Sequence, residues 1–433
     1  MGHQIAVSNT DDGLLYVFYL ENGSLSAQVQ SQPFGSLGLT SYDTSAITAP
    51  AGEDQTDIFF ICCIEDMLLA AIDSSLGVVI WYSFYEAPNW LAFQPLSAPA
   101  GVAAPGVGQS PLLPLLDLAA AWTPGDAGVA VVAYTGDPTT PSPLYVSFVP
   151  IDGSAPSAWA QILSLQTGWG SPGLQANGGS LIALATAQQV NVMAVGLSLG
   201  LPSPGPSVQL YTSPDLVTWT AATAPLMGPA TGVGVNSIIL TAGNPNGQLQ
   251  TVICQTPGPP STYPGLPIVL FDNSAAGDGS SWASWGQPFD VSWVSNTSVA
   301  TAVSGVPQVP ISGVGAAAPT LQVPFIAQDG LPYLLYQDST GAWGLFGGAL
   351  PNALNGGAFS QSIVDVAAGN GWLLAYRRPT KRLEPPFYTV PCTMVFYLVQ
   401  NIQSQTLVSN AIYCGLQYLD GSWGFAAAPI DTW

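Results

Sequence analysis

Val208-Gln209-Leu210-Tyr211-Thr212-Ser213-Pro214-Asp215-Leu216-Val217-Thr218-Trp219 joins an apolar, β-rich run to a tryptophan through a polar turn. Ser-Pro-Asp is turn chemistry, and the aromatic and β-branched residues on either side favour strands, so the stretch reads as strand, turn, strand. The same join recurs at Pro88-Asn89-Trp90, Ser157-Ala158-Trp159, Ser280-Ser281-Trp282, Gly341-Ala342-Trp343 and Gly421-Ser422-Trp423. Leu25 in Asn22-Gly23-Ser24-Leu25 takes the same place in a seventh copy. Neighbouring copies lie 60 to 80 residues apart, the spacing of a repeat architecture.

A second β-rich run precedes each join, as at Leu14 to Leu20, Leu144 to Val149, Ile268 to Asp272, Tyr333 to Asp338 and Gln417 to Asp420. Further upstream come one or two more apolar runs, for example Leu181 to Ala187 then Val190 to Leu197, or Ile238 to Gly243 then Leu249 to Gln255. Four short strands per unit predict an all-β fold: a β-propeller of seven four-stranded blades, its ring closed where the N- and C-terminal strands join in one blade. Six blades would follow if one hairpin were an excursion, and the last unit is enlarged between Arg377 and Asn410. No charged or low-complexity linker interrupts residues 1–433, so one domain is expected.

Composition agrees with short strands. The 433 residues include 47 glycines and 39 prolines spread along the chain. Charge is scarce, at 7% of residues, and its balance is 25 acidic against 4 basic side chains, a formal net of −21. Such a surface repels nucleic acid and anionic membranes, and a neutral polar ligand suits it better. The uncharged stretch from Ser180 to Leu201 is interrupted by Gln188, Gln189 and Asn191, which makes it two strands and not a membrane span. Residues 1–12 lack a basic and an apolar region, so a cytoplasmic or non-classically secreted protein is expected; the sequons at Asn22 and Asn296 matter only on secretion.

Several chemistries find no residues to carry them. His3 is the sole histidine, which excludes Ser-His-Asp hydrolysis and His-ligated metal sites. No phosphate-binding or dinucleotide fingerprint is present, and the run from Asp272 to Asp278 has Ala275 and Ala276 where calcium ligands would stand. No cofactor and no metal are expected. The five cysteines include no Cys-x-x-Cys pair and read as buried thiols, with a Cys392–Cys414 bridge left open. Glu65 and Asp66 fall in a hairpin turn between Ile58 to Ile64 and Leu68 to Ile72, which points to solvated carboxylates.

Two sets of residues could hold a ligand. An acidic or amide residue precedes most of the aromatic strands, at Asn22, Asp152, Asp215, Asp278, Asp338 and Asp420. Such a residue caps its own turn, or else it accepts bonds from paired sugar hydroxyls while an indole stacks on the C–H face of a pyranose. On the second reading the ligand residues are Asp215 with Trp219, Asp278 with Trp282, Asp338 with Trp343, and Asp420 with Trp423. The other set is Tyr376-Arg377-Arg378-Pro379-Thr380-Lys381-Arg382, which holds every basic side chain of the protein. It could clamp an anion, offer a single special site, or be a solvated loop.

The run Tyr211 to Trp219 resembles the Asp-box-like turns of sialidases. Those enzymes use an arginine triad from separate blades, and the clustering of Arg377, Arg378, Lys381 and Arg382 argues against that activity here. As a repeat pattern the chain resembles the propeller lectins of fungi and bacteria, though its units lack the recurring arginine of fucose-binding members. That resemblance implies a carbohydrate-binding protein with several similar sites for neutral sugars, whose avidity would exceed one site by on the order of 10²- to 10⁴-fold. The alternative is a propeller enzyme with one axial pocket for an apolar or glycosidic small molecule, of cyclase, lyase or hydrolase type, with Tyr376 and Arg377 as its polar groups.

Overall fold

The computed structural model describes residues 4–32, 42–44, 58–74, 77–100, 102–103, 113–135, 144–162, 169–170, 181–185, 188–198, 205–221, 235–243, 250–257, 268–272, 283–284, 302–303, 323–326, 332–337, 343–347, 360–376, 387–404, 406–417, 423–425 and 429–433. Among them all regular structure is β, in seven sheets of four or five strands. Each sheet comes from one contiguous stretch of chain. The first contains Ile5–Asn9, Leu15–Glu21, Ser24–Gln30 and Tyr42–Thr44. The last contains Ser360–Tyr376, Phe387–Gln403, Thr406–Gln417 and Trp423–Phe425, with Asp431–Thr432 added beside Thr406–Gln417.

Alternation along a central strand of a sheet explains how the sheets stack. Successive side chains on a strand face opposite ways, so a strand apolar throughout buries both faces. In Gly128–Thr135 of the third sheet, Val129, Val131 and Ala133 pack on the second sheet, while Ala130, Val132 and Tyr134 pack on the fourth. Met67–Ser74 behaves the same way: Leu68, Ala70 and Ile72 face the first sheet, Met67, Leu69 and Ala71 the third. In Leu15–Glu21, Leu15, Val17 and Tyr19 face the last sheet and Tyr16, Phe18 and Leu20 the second. Full burial of such a valine, leucine or phenylalanine is worth roughly 1.5–3 kcal/mol. Further round, Leu181–Ala185 touches Val235–Gly243, which touches Ala302–Val303, which touches Ser360–Tyr376. Contiguous sheets, antiparallel except where Val102–Ala103 pairs in parallel with Leu113–Trp122, stacked face to face in chain order are the construction of a β-propeller.

Strand positions agree closely with the sequence expectations. Ile58–Ile64 and Ile268–Asp272 fall as expected, and Ser180 to Leu201 contains two strands, Leu181–Ala185 and Val190–Ser198. Two expectations need correction. Leu25 lies on the third strand of the first sheet, whereas Trp90, Trp343 and Trp423 lie on fourth strands. Asn22 and Gly23 have φ of 52° and 80°, a tight turn that serves any two-residue hairpin and so does not mark which hairpin it is. The N- and C-terminal strands also pair in separate sheets, because the first sheet already has four strands of its own.

What joins these two sheets is side chains. Asp365, on the inner strand of the last sheet, accepts the amides of Gln4 (2.6 Å) and Ile5 (3.1 Å) at the start of the first. Gln30 exchanges two 2.9 Å bonds with the backbone of Trp372. On the outer side Asp431 accepts bonds from Tyr19 and from Gln28 (3.0 Å), and Trp433 stacks on Tyr19 at 4.7 Å. Cys392 and Cys414 lie in the core of this seam as free thiols. Cys414 pairs with Phe396, four residues along the strand from Cys392, or about 13 Å, and a disulfide needs Cα atoms within about 7 Å.

Candidate functional site

The turns before the aromatic strands are built to hold themselves. At Asp152 the carboxylate accepts the Ser154 amide (2.9 Å) across Gly153, whose φ is 78°. At Asp215 one oxygen accepts the amides of Thr218 (2.7 Å) and Val217 (2.9 Å), and the other accepts the Thr218 hydroxyl (3.1 Å). Those amides hold the Asp215 carboxyl below its ordinary pKa. Leu216 takes a φ of 62°, which turns its carbonyl to the Trp219 indole N–H at 3.1 Å. The half-buried Trp219 ring packs on the core between the third and fourth sheets, and Val217 beside it is 84% exposed. Trp90 is buried against Tyr16, Phe18 and Tyr85, and Trp159 packs on the second and third sheets. Leu91, next to Trp90 in sequence, and Ile151, in the turn before Trp159, are exposed apolar side chains as well.

Asp215→Ala is therefore expected to loosen this turn while leaving the sheets folded. Because folding lowers the carboxyl pKa, its stabilising bonds are present above about pH 4 and lost as pH falls further. Protection of the Val217 and Thr218 amides, relative to their intrinsic exchange rate at each pH, should fall below that pH in the wild type and be low throughout in the variant.

The other expected ligand residues are only partly visible. Trp343 and Trp423 begin the fourth strands of their sheets, and Tyr376 ends the strand Ser360–Tyr376. Asp278, Trp282, Asp338, Asp420, Arg377, Arg378, Lys381, Arg382 and His3 lie outside the described residues.

A cluster that the sequence did not reveal lies at one end of the first three sheets. Hairpin turns bring Asp11 and Asp12, Glu65 and Asp66, and Asp126 to that end. Asp12 accepts bonds from the hydroxyls of Thr10 (2.6 Å) and Tyr85 (2.8 Å). Burial pushes its pKa up, but these hydroxyls and the Leu14 amide outweigh that and hold it below the ordinary value. Asp66 accepts the Asp11 amide at 3.0 Å. Burial first, then the charges of Asp11 and Glu65, raise its pKa to about 6. Burial and the charges of Asp11 and Asp126 raise Glu65 as well. Glu65 and Asp66 do form the expected hairpin turn, but they are crowded carboxylates and not freely solvated ones. The signal was available in outline, since each turn sits at the equivalent place of its unit.

The sign of this crowding gives a prediction. A carboxyl whose folded pKa lies above its unfolded value near 3.9 favours folding when protonated. That contribution is complete below about pH 4 and lost as pH rises through about 6. Thermal denaturation should show the wild type losing stability across this window, with Asp66→Asn flatter.

Cys62 and Cys63 are free, partly buried thiols held in their protonated form. Burial, with the charge of Asp117 second, pushes Cys62 up to about 12, and burial raises Cys63 well above its ordinary value. Among the described residues no group of three His, Cys, Asp or Glu side chains is placed to hold a metal ion.

No family model and no curated protein matches the chain. Similar solved structures include the β-propeller domain of the Trilobed protease from Pyrococcus furiosus, at 8% identity and TM-score 0.45, over 98% of this chain and 96% of that one. A six-bladed β-propeller fungal lectin, Aleuria aurantia lectin, is 15% identical with TM-score 0.39, over 84% and 90% of the two chains. Penicillium chrysogenum α-L-arabinanase is 9% identical with TM-score 0.43, over 96% and 93%.

Proposed function

We propose that the chain is a single-domain, seven-bladed β-propeller whose ring closes at the seam between first and last sheets, and that it binds neutral glycans at several similar sites. The observation that carries the glycan reading is the recurrence of the outer turn. In two successive sheets the turn carries an exposed apolar residue ahead of a partly buried tryptophan, Ile151 before Trp159 and Val217 before Trp219. Such surfaces suit the C–H faces of sugars, and acceptor-rich, cation-poor surroundings suit their hydroxyls. The acidic residue of each unit shapes the turn, on the pattern of Asp152 and Asp215, and the indole supplies the stacking face. Asp278 with Trp282, Asp338 with Trp343 and Asp420 with Trp423 are the corresponding pairs in the later sheets.

A glycan array followed by titration calorimetry on a hit tests this. Several equivalent sites per chain, with binding weakened in a folded Asp338→Ala/Trp343→Ala variant, is the expected result. A single site per chain, or no glycan bound at millimolar concentration, overturns it and turns attention to an axial pocket.

A further inference from the structure

We infer that residues 429–433 form a strap that lifts and closes as a unit over the outer half of the seam between the first and last sheets, while the inner half stays shut. The strap lies along the edge of Thr406–Gln417. Ile430 donates to the Ile412 carbonyl (2.7 Å), Trp433 donates to the Asn410 carbonyl (3.0 Å), and Asn410 donates to the Trp433 carbonyl (2.7 Å). Asp431 and Thr432 alone are paired as strand, opposite Ile412 and Ala411. So short a strand does not hold an edge by backbone pairing alone.

The rest of its hold is on the other sheet. Asp431 Oδ2 accepts bonds from the Tyr19 hydroxyl and the Gln28 side-chain amide (3.0 Å), and the Trp433 ring stacks on Tyr19. Ile430 and Trp433 pack on the core that the two sheets share. The strap thus has one footing on each side of the seam, backbone pairing on the last sheet and side chains on the first. Each footing depends on the other: Asp431 and Trp433 meet Tyr19 only while the backbone is held on the edge, and the short pairing holds only while Tyr19 and Gln28 are engaged. The two sets of contacts therefore form and break together.

Burial decides which half opens first. On the inner half Asp365 is buried with its amide partners Ile5 and Val366, and Gly369 leaves no room between the strands. In the strap no residue is fully buried: Pro429, Ile430, Asp431 and Trp433 are half-buried and Thr432 is exposed. A segment with few buried apolar contacts and water-accessible backbone bonds opens at a lower free energy than the core it covers. Closed, the strap covers Tyr19 and Gln28, which are both buried. Lifted, it bares both side chains together with the backbone edge at Asn410 and Ile412. The inference concerns the seam and is independent of glycan binding.

Hydrogen exchange of the full chain, resolved to single amides, is the test. The amides of Asn410, Ile430 and Trp433 all depend on the strap, so they should share one protection, lower than that of Ile5 and Val366 by about tenfold or more. Tyr19→Phe removes the hydroxyl that reaches Asp431 and keeps the ring under Trp433. It should lower the protection of all three strap amides by about tenfold, the effect of losing one hydrogen bond to a carboxylate, and leave Ile5 and Val366 unchanged. Exchange of Asn410 and Trp433 well ahead of Ile430 in the wild type would mean fraying residue by residue and overturns the inference. Wild-type protection of the strap equal to that of Ile5 and Val366 overturns it too, since the seam would then open as one block. So does a Tyr19→Phe variant whose strap amides are unchanged, or whose strap and inner amides weaken together.

Discussion

Asp365→Ala should destabilise the protein by on the order of 3 kcal/mol or more, because it leaves buried amides without an acceptor at about 1–3 kcal/mol each. Asp365 is 4% exposed and accepts the amides of Gln4, Ile5 and Val366, while Ile5 is itself buried. Water cannot replace a carboxylate there without opening the seam. The same device stands at Asp117, which accepts the amides of Leu118 (2.9 Å) and, across the next joint, Leu181 (3.1 Å). Asp117→Ala should cost less, for two reasons. It strands fewer amides among those named, and the chain itself links the third sheet to the fourth, whereas first and last sheets are 361 residues apart at Gln4 and Asp365. Closing a loop of that length costs about 5 kcal/mol by the (3/2)RT ln n rule, and seam contacts must offset it. Chemical denaturation should rank Asp365→Ala as the less stable variant, with amide exchange at Gln4 and Ile5 rising first. Equal losses at the two positions would mean that the seam is an ordinary joint.

Sequence pattern revealed most of the strands because both of their signals are local. Alternation places side chains on the two faces of a sheet, and Gly, Pro, Asn and Asp end it. The paired stitches were not legible that way. Leu115-Leu116-Asp117-Leu118-Ala119-Ala120 and Ile363-Val364-Asp365-Val366-Ala367-Ala368 share a pattern, but a carboxylate inside an apolar strand has meaning only when the next sheet offers its amides. In both sheets the aspartate sits at a register shift of the inner strand, after Leu115 and after Ile363, which turns its carboxylate toward the following sheet. Of the acidic residues that precede aromatic strands, Asp152 and Asp215 engage their own turns, a role that local turn chemistry makes legible. The crowding of Asp66 depends on the neighbouring turn at Asp11, 55 residues away; the repeat places the two turns side by side, but only the folded sheets set their carboxylates in contact.

Gly369→Ala should be a second strongly destabilising change, at roughly 1–3 kcal/mol for an overpacked core. Inner strands of the first and last sheets meet at Gly369, where an added Cβ would overlap Val7 Cγ1 and lie 2.6 Å from Leu15 Cδ1 and 3.2 Å from Asn9 Oδ1. Val7 is β-branched and stiff about its first torsion, so it cannot swing clear, and Leu15 is fully buried in the same core. The run Ala367-Ala368-Gly369 thus narrows to a residue with no side chain where the approach is tightest, and the inner strand of the third sheet carries Ala119-Ala120-Ala121 in the equivalent place. Val7→Ala alone should cost about 1 kcal/mol through the cavity it leaves. Combined with Gly369→Ala it should recover stability, because the new methyl occupies the space vacated by Val7. Equilibrium unfolding of the two single variants and the double variant measures that coupling, which should be favourable by about 1–2 kcal/mol for side chains in contact. Strict additivity would mean that the two sheets can move apart at this point, and that the hydrogen bonds of Asp365 and Asp431, not close packing, set their spacing.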